Sequence, residues 1–144
     1  MSITFRPLQR DDLPLIEPWF DEGTRRWLTP PDEAWLRHVT GGSHSRAWIA
    51  SRDGCNVGIV QADWDEAAIA WVSLVVDPTR RRRGIGRSVL RAWLATIGRE
   101  FVRIEGAIEA ANVAALACAR HSGFAKASDE PDDEGFLQVS FAPQ

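Results

Sequence analysis

The stretch VVDPTRRRRGIGRSVL, residues 75–90, joins the end of an apolar run to four consecutive arginines, a Gly-Ile-Gly and the start of a helical pattern. Pro78 ends the apolar run, because its ring removes a backbone donor and restricts φ. After Gly86, apolar residues recur at helical spacing: Val89, Leu90, Trp93, Leu94 and Ile97. The stretch therefore predicts a buried strand, a short basic turn, and an amphipathic helix whose first turn contains glycine.

The start of that helix is suited to an anion. The first N–H groups of a helix have no partner within it, and the helix dipole places partial positive charge there. Gly84 and Gly86 lack a Cβ, so a ligand can approach the backbone closely. Arginine side chains nearby add charge-assisted hydrogen bonds to phosphate oxygens. The segment thus predicts a diphosphate site, although neither a P-loop nor a dinucleotide fingerprint fits, because Arg87 and Val89 stand where those motifs need lysine and glycine.

The whole-chain composition limits the alternatives. The chain has 144 residues, 44% hydrophobic and 26% charged, which fits one globular domain, 1–144. The net charge is −3, whereas a nucleic-acid-binding domain is usually basic over a whole face, so we expect no nucleic-acid partner. Neither a secretory signal nor a membrane-spanning apolar run occurs, and we expect a cytoplasmic protein without membrane contact. Cys55 and Cys118 show no metal-ligand spacing, so no metal site is expected.

The remaining patterns predict an α/β fold with a mixed sheet, in the element order β-α-α-β-β-β-α-β-α-β-β. Strand patterns occur in SITFRPL, SRAWIASR, CNVGIVQAD, AAIAWVSLVV, FVRIEGAI, GFAKA and GFLQVSF. Helical patterns occur in DDLPLIEPWF, PDEAWLRHV, the segment after Gly86, and VAALACARHS. The run AAIAWVSLVV is apolar on both faces, which predicts a strand at the centre of the sheet.

Two blocks of the sequence resemble those of a known family. Arg81, Gly84 and Gly86 match the R-x-x-G-x-G signature of the GNAT superfamily of acetyl-CoA-dependent N-acetyltransferases. Asn112, followed by Gly123-Phe124, is similar to that family's N…A…GF segment, in which a strand leads into a helix. The two blocks span roughly residues 69–125. The resemblance implies a GNAT-like fold, with a mostly antiparallel central sheet flanked by helices.

The resemblance also implies that acetyl-CoA binds as a co-substrate. The pyrophosphate would lie on residues 81–86, which we call the glycine loop. The pantetheine arm would pair with the end of the central strand as an extra strand does. A backbone N–H near Val75 would stabilise the tetrahedral oxyanion. Carried onto this sequence, the coenzyme-binding residues are Leu74, Val75, Val76, Arg81, Arg82, Arg83, Gly84, Ile85, Gly86, Arg87, Ser88 and Asn112.

The implied reaction is direct attack by a primary amine, of a small molecule or a protein, on the thioester in a ternary complex. A base must free the amine's lone pair. The first candidate for this base is Glu105, because a charged residue inside an apolar strand needs a partner or a purpose. Glu66 and Asp63 are the next candidates. The position of the family's acidic tyrosine is Ala119, and the chain has no tyrosine. Ser122, on the same helical face, is the candidate acid, although a thiolate with a pKa of about 8.5 can also leave unassisted.

The sequence indicates less about the acceptor and the oligomeric state than about the coenzyme site. Trp19, Trp27 and Trp35 fall in the two-helix region that lines the acceptor side in this family, and aromatic walls with nearby carboxylates would suit a cationic amine. The sequence also allows two interpretations other than an enzyme. One is a coenzyme-A-binding regulatory module without catalysis; the other, which the net negative charge and the absence of a second basic cluster disfavour, is a nucleic-acid-binding domain that uses the arginine run. A monomer and a homodimer are both compatible with the sequence.

Overall fold

The computed structural model describes residues 2–26, 28–81 and 83–143. In this part of the chain seven strands form one sheet, in the order β1-β2-β3-β4-β5-β7-β6. All neighbouring strands are antiparallel except β4 and β5, which are parallel. The predicted mixed, mostly antiparallel sheet is confirmed. The strands are β1 Ile3–Pro7, β2 Ser45–Arg52, β3 Cys55–Trp64, β4 Ile69–Val76, β5 Arg103–Glu109, β6 Ala125–Lys126 and β7 Phe136–Phe141.

The helices follow the predicted order with one addition. They are α1 Leu13–Ile16, α2 Glu22–Arg25, α3 Glu33–Gly41, α4 Ile85–Ala95 and α5 Val113–His121, with 3-10 turns at Arg10–Asp12, Glu17–Trp19, Pro78–Arg80 and Ile97–Glu100. The single-turn helix α2 was not predicted. Asp21 directly precedes it as the N-cap residue, and its side chain accepts a hydrogen bond from the Thr24 N–H at 2.9 Å. None of the helices in the described ranges is long and apolar enough to cross a membrane.

The sheet separates two hydrophobic cores. Helices α4 and α5 pack on one face, around a core that includes Ala70, Val89, Trp93 and Ile104. The segment containing α1 and α3 packs on the other face, around Ile16, Leu36, Ile49 and Val75. Successive side chains of a strand point to opposite faces, so β4 contributes to both cores. Its even-numbered residues face α4 and α5, and its odd-numbered residues face the opposite side.

Strands β4 and β5 diverge after a short paired stretch. Their register ends at the pair Trp71 and Glu105. Strand β3 remains paired with β4 as far as Val76, and β7 remains paired with β5 as far as Glu109. We call residues 72–76 the unpaired half of β4. A strand edge inside a sheet that lacks its neighbour offers backbone N–H and C=O groups to a ligand.

Candidate active site

The turn between β4 and α4 is built around Gly84, which directly precedes the helix. Gly84 has a φ of 73°, a left-handed conformation that costs a residue with a Cβ about 1–2 kcal/mol. At the other end of the turn, the Asp77 carboxylate accepts hydrogen bonds from the Thr79 N–H and hydroxyl, at 3.0 and 2.9 Å. Gly84 is exposed, so the N–H groups of the first turn of α4 begin at the surface. This is the arrangement that an anion needs at a helix start.

Gly86 brings the first turn of α4 against the unpaired half of β4. A Cβ at this position would lie 3.4 Å from Val76 Cγ2, 3.8 Å from Leu74 Cδ2 and 3.8 Å from Cys118 Sγ. Strand β4 and helices α4 and α5 therefore meet here. Burial raises the pKa of the Cys118 thiol, an effect opposed by the nearby Arg87 cation, so the thiol at this junction is neutral at physiological pH.

The side chain of Arg81 binds α2 and its cap residue rather than pointing toward the start of α4. Its two terminal nitrogens donate to Asp21 at 2.8 and 3.2 Å, and one of them also donates to the Thr24 hydroxyl. The hydrogen bond from the Thr24 N–H, reinforced by Arg81, lowers the pKa of Asp21 to about 2. The first arginine of the signature therefore ties the glycine loop to α2.

The other predicted coenzyme-binding residues surround the same turn. Arg83, Arg87 and Ser88 are exposed, and Ile85 is buried beneath them. Asn112 begins α5, where its Oδ1 accepts from the Ala115 N–H at 3.3 Å. Arg82 lies outside the described residues. The described members of the set thus lie around the carboxyl ends of β4 and β5 and the starts of α4 and α5.

The strand register decides which backbone groups of β4 face the divergence from β5. The Asp77 N–H donates to the Val57 carbonyl, and the Asp65 N–H donates to the Ile69 carbonyl. Because hydrogen-bonded pairs alternate along an antiparallel ladder, the odd-numbered residues of β4 are those bonded to β3. The Val75 N–H therefore points toward β3. The N–H groups of the neighbouring Leu74 and Val76 point toward the space that β5 has left.

Two of the three predicted bases lie where β4 and β5 diverge. Asp63, Trp71 and Glu105 are adjacent across β3, β4 and β5, on the face opposite α4 and α5. The Glu105 side chain is 18% exposed and accepts a hydrogen bond from Arg103 Nε. Glu66 lies in the exposed turn between β3 and β4, at the other end of β4 from the unpaired half. The structure therefore brings Asp63 and Glu105 to the candidate site, but not Glu66.

A chain of hydrogen bonds, not anticipated from the sequence, connects α3 to Asp63. Trp35 Nε1 donates to Gln61 Oε1 at 2.8 Å, and Gln61 Nε2 donates to Asp63 Oδ2 at 2.9 Å. His38 Nε2 bonds the other oxygen of Asp63; an ionised carboxylate only accepts, so this nitrogen carries the hydrogen. Gln61 and Asp63 alternate within an apolar strand, which places them on one face. That alternation is the signal by which Gln61 could have been found.

A cavity of about 170 Å³ lies on this face, beside the unpaired half of β4. Trp35 lines it, whereas Trp19 is buried in the core and Trp27 lies outside the described residues. The lining residues are Phe20, Leu28, Thr29, Trp35, Ile59, Gln61, Ser73 and Val75. Since Ser73 and Val75 belong to β4, the cavity and the α4 junction lie on opposite sides of the same strand.

Ser122, the predicted acid, lies on the α4 and α5 side of the sheet, away from Asp63 and Glu105. It follows the last residue of α5, is buried, and its hydroxyl donates to the Cys118 carbonyl at 2.8 Å. Ala119, at the position of the family's tyrosine, is buried in the core. The hydroxyl proton of Ser122 is therefore engaged within its own helix.

Comparison with known proteins shows the family of this chain. A family model described as the acetyltransferase (GNAT) family matches residues 6–124, which include both blocks of the signature. The chain belongs to the acetyltransferase (GNAT) family. It is also 31% identical over 143 residues to an uncharacterized N-acetyltransferase of Bacillus subtilis (strain 168), YfmK, covering 94% of this chain and 93% of that protein. The GNAT resemblance is confirmed, and membership makes the chain an acetyl-CoA-dependent acyltransferase.

Solved GNAT structures share the fold at low sequence identity. The aminoglycoside acetyltransferase AAC(6′)-Ib, in complex with paromomycin and acetyl-CoA, has a TM-score of 0.83 at 17% identity, covering 99% of this chain and 94% of that one. A spermidine N-acetyltransferase chimera of Vibrio cholerae SpeG and hSSAT scores 0.83 at 16% identity, covering 99% and 96%. The ribosomal-protein-S18-alanine N-acetyltransferase of Escherichia coli scores 0.74 at 20% identity, covering 99% and 95%.

Proposed function

We propose that this GNAT protein transfers the acetyl group of acetyl-CoA to a primary amine by direct attack in a ternary complex. The observation that carries the proposal is the position of the unpaired half of β4. The start of α4 and Gly86 lie on one side of it, and the cavity lined by Ser73 and Val75 lies on the other. A thioester placed along this strand edge is accessible to the coenzyme's arm from one side and to an amine from the other.

The backbone supplies most of the coenzyme site in this proposal. The pyrophosphate binds the N–H groups at the start of α4, where Arg83 and Arg87 add positive charge. The amide groups of the pantetheine arm pair with the backbone of residues 72, 74 and 76, which the register directs toward the missing neighbour. The N–H of Leu74 or Val76 then stabilises the oxyanion, in place of the Val75 N–H that is directed toward β3.

Glu105 is the proposed base. The amine nitrogen attacks the carbonyl carbon, the C–N bond forms, the C–S bond breaks, and an acetamide and coenzyme A thiolate result. Before attack the ammonium loses a proton, which Glu105 accepts directly or through water. Its carboxylate lies in the last row where β4 and β5 are paired, beside the opening, and Arg103 fixes its orientation. Asp63, in the same row, attracts the ammonium.

The leaving group needs little help. A thiol has a pKa of about 8.5, so the thiolate is a stable leaving group near neutral pH. Ser122 could protonate it only after breaking its bond to the Cys118 carbonyl. We therefore propose thiolate departure without an obligatory protein acid.

The proposal is tested by incubating the protein with acetyl-CoA and a panel of primary amines, and measuring released thiol together with the acetylated product by mass spectrometry. We expect product only when both substrates are present, and initial-rate plots that intersect, as a ternary complex requires. Parallel plots would indicate an acetyl-enzyme and contradict direct attack. Binding of acetyl-CoA without turnover of any amine would instead support the regulatory coenzyme-binding module.

A further inference from the structure

The cavity beside β4 is neutral and largely apolar. Eight described residues line it, and none of them carries a formal charge. Three have polar side chains: Thr29, Gln61 and Ser73. The amide of Gln61 already accepts from Trp35 and donates to Asp63. The other lining residues are aliphatic or aromatic, so the part of an acceptor that lies here must be mainly hydrocarbon.

Polarity changes in steps along this face of the sheet. The pair Ile59 and Val75 is apolar, the next pair on the same face, Gln61 and Ser73, is neutral and polar, and the row after that contains Asp63 and Trp71. Glu105 extends this last row onto β5. Successive rows on one face are about 7 Å apart, two residues of a strand. An acceptor with its hydrocarbon end over the first row and a two- or three-carbon arm would place its ammonium over the second row, on the side that faces the carboxylates of the third.

The cavity size restricts the hydrocarbon end. Its volume is about 170 Å³, and a cavity of about 150 Å³ in another protein is sufficient for a benzene molecule. Phe20, Ile59 and Val75 are the buried part of its lining, each no more than 6% exposed, whereas Thr29 is exposed. One ring or one branched alkyl group is therefore sufficient to fill this space.

We infer that the acceptor is a small monoamine with a compact apolar body, a single ring or a branched alkyl group, joined to the amine by a two- or three-carbon arm. This inference rests on the proposed function and specifies its substrate class. Two structural relatives of this chain are named for spermidine and for aminoglycosides, and these compounds carry several ammonium groups. Each such group buried in the cavity would need a carboxylate partner, and the described lining residues supply none.

Binding and turnover are measured separately, so that the two proposals can fail separately. The protein saturated with coenzyme A is titrated by calorimetry with 2-phenylethylamine, 1,4-diaminobutane and kanamycin. We expect 2-phenylethylamine to bind at least about tenfold more tightly than the diamine, because its ring buries more apolar surface and brings no second ammonium into the uncharged cavity. Acetylation of the same compounds with acetyl-CoA is then followed by mass spectrometry.

The outcomes distinguish the proposed substrate class from the proposed acetyl transfer. Selective binding with acetylation of 2-phenylethylamine supports the substrate class and the proposed function together. Selective binding without acetylation of any amine supports the apolar cavity as a ligand site and overturns the transferase proposal. Preferred binding of the diamine or kanamycin, or no detectable binding of 2-phenylethylamine, overturns the substrate class; acetylation of another amine would then leave the transferase proposal standing.

Variants at the rim provide a second test. Leu28→Trp fills the cavity and is expected to raise the KM for 2-phenylethylamine by at least about tenfold, with the acetyl-CoA affinity within about twofold. Val102→Trp, at a position 69% exposed, is the matched control and should change neither constant. Thr29→Asp adds a carboxylate at the exposed rim and should lower the KM for 1,4-diaminobutane about threefold, whereas Thr29→Asn, of the same shape, should not. An unchanged KM in Leu28→Trp would place the acceptor elsewhere.

Discussion

Arg81 and Asp21, 60 residues apart in the sequence, are joined by a hydrogen-bonded ion pair of 2.8 Å. Arg81 belongs to the glycine loop at the start of α4. Asp21 begins α2, the turn that leads to Leu28 and Thr29 at the rim of the cavity. The proposed coenzyme loop and the cavity wall are therefore connected through the hydrogen bonds of the Arg81 side chain to Asp21 and Thr24.

Removing the charge of Asp21 is expected to weaken coenzyme binding without unfolding the protein. Asparagine caps helices as well as aspartate does, so Asp21→Asn should keep α2 and lose mainly the ion pair. Because both partners are partly exposed, the effect should be small: a rise of about threefold in the KM for acetyl-CoA, with kcat nearly unchanged, and weaker at high salt.

Glu22→Gln, one residue further in the same helix, is the matched control for Asp21→Asn. A double variant of Asp21→Asn with Arg81→Gln should be no worse than the more damaging single variant, since the two side chains act as a pair. Additive losses would show that each residue contacts the coenzyme independently.

Gly86 provides the most direct test of the coenzyme site. Gly86→Trp should abolish measurable acetyl-CoA binding in calorimetry, because an indole would occupy the junction of Val76, Leu74 and Cys118. Gly86→Ala adds one methyl group close to van der Waals distance and should retain both the fold and partial binding. Wild-type affinity in a folded Gly86→Trp protein would place the coenzyme elsewhere.

The assignment of the base predicts a division between kcat and KM. Glu105→Gln should lower kcat about 100-fold, the usual magnitude for loss of a general base, with little change in acetyl-CoA affinity. Asp63→Asn should mainly raise the KM for the amine. Glu109→Gln, an odd-numbered position on the same strand, is the control. A larger loss of kcat in Asp63→Asn than in Glu105→Gln would transfer the role of base to the Asp63–His38 pair.

Acid stability should depend on Asp12, which is buried and paired with both terminal nitrogens of Arg6 at 2.8 and 2.9 Å. The hydrogen bonds from Arg6, helped by the Gln9 N–H and opposed by burial, lower the pKa of Asp12 from its ordinary value of 3.8. A carboxyl group whose pKa is lower in the folded state stabilises the fold above its unfolded pKa, and this contribution is lost as the pH falls through the folded pKa.

Asp12→Asn should therefore reduce the free energy of unfolding by about 1–2 kcal/mol at pH 7. This is the usual contribution of a charge-assisted hydrogen bond, reduced because the Arg6 side chain is half-exposed. The difference from wild type should shrink below pH 4, as urea denaturation at several pH values would show. Asp11→Asn, at the exposed neighbouring position, should have little effect. A difference independent of pH would mean that the ionised carboxylate is not the stabilising group.

Local patterns were sufficient for most of the fold. The apolar run ending at Val76, the glycines at 84 and 86, and the cap at Asn112 each depend on neighbours a few residues away, and the structure places a strand, a helix start and a helix cap there. Helix α2 was missed because a single turn has too few residues for a periodic pattern. Its Asp21 cap resembles those of many loops.

The side-chain partners in the candidate site were not predictable in the same way. The bonds of Arg81 to Asp21, and of Trp35 to Gln61, join residues 60 and 26 positions apart. Such contacts depend on how helices pack on the sheet, which no short motif specifies. The direction of the Val75 N–H depended on the pairing of β3 with β4, because a shift of one residue exchanges every hydrogen-bonding position.

The alternation of side chains along β4 has a consequence for how such a protein can change over generations. Substitutions at residues 73 and 75 alter the cavity and leave the side chains that meet α4 untouched, so a new acceptor can be acquired without rebuilding the donor site. An insertion or deletion of one residue in the same segment would exchange the two sets of side chains. Strand β4 can therefore tolerate point substitutions that change the acceptor, but not insertions or deletions of a single residue.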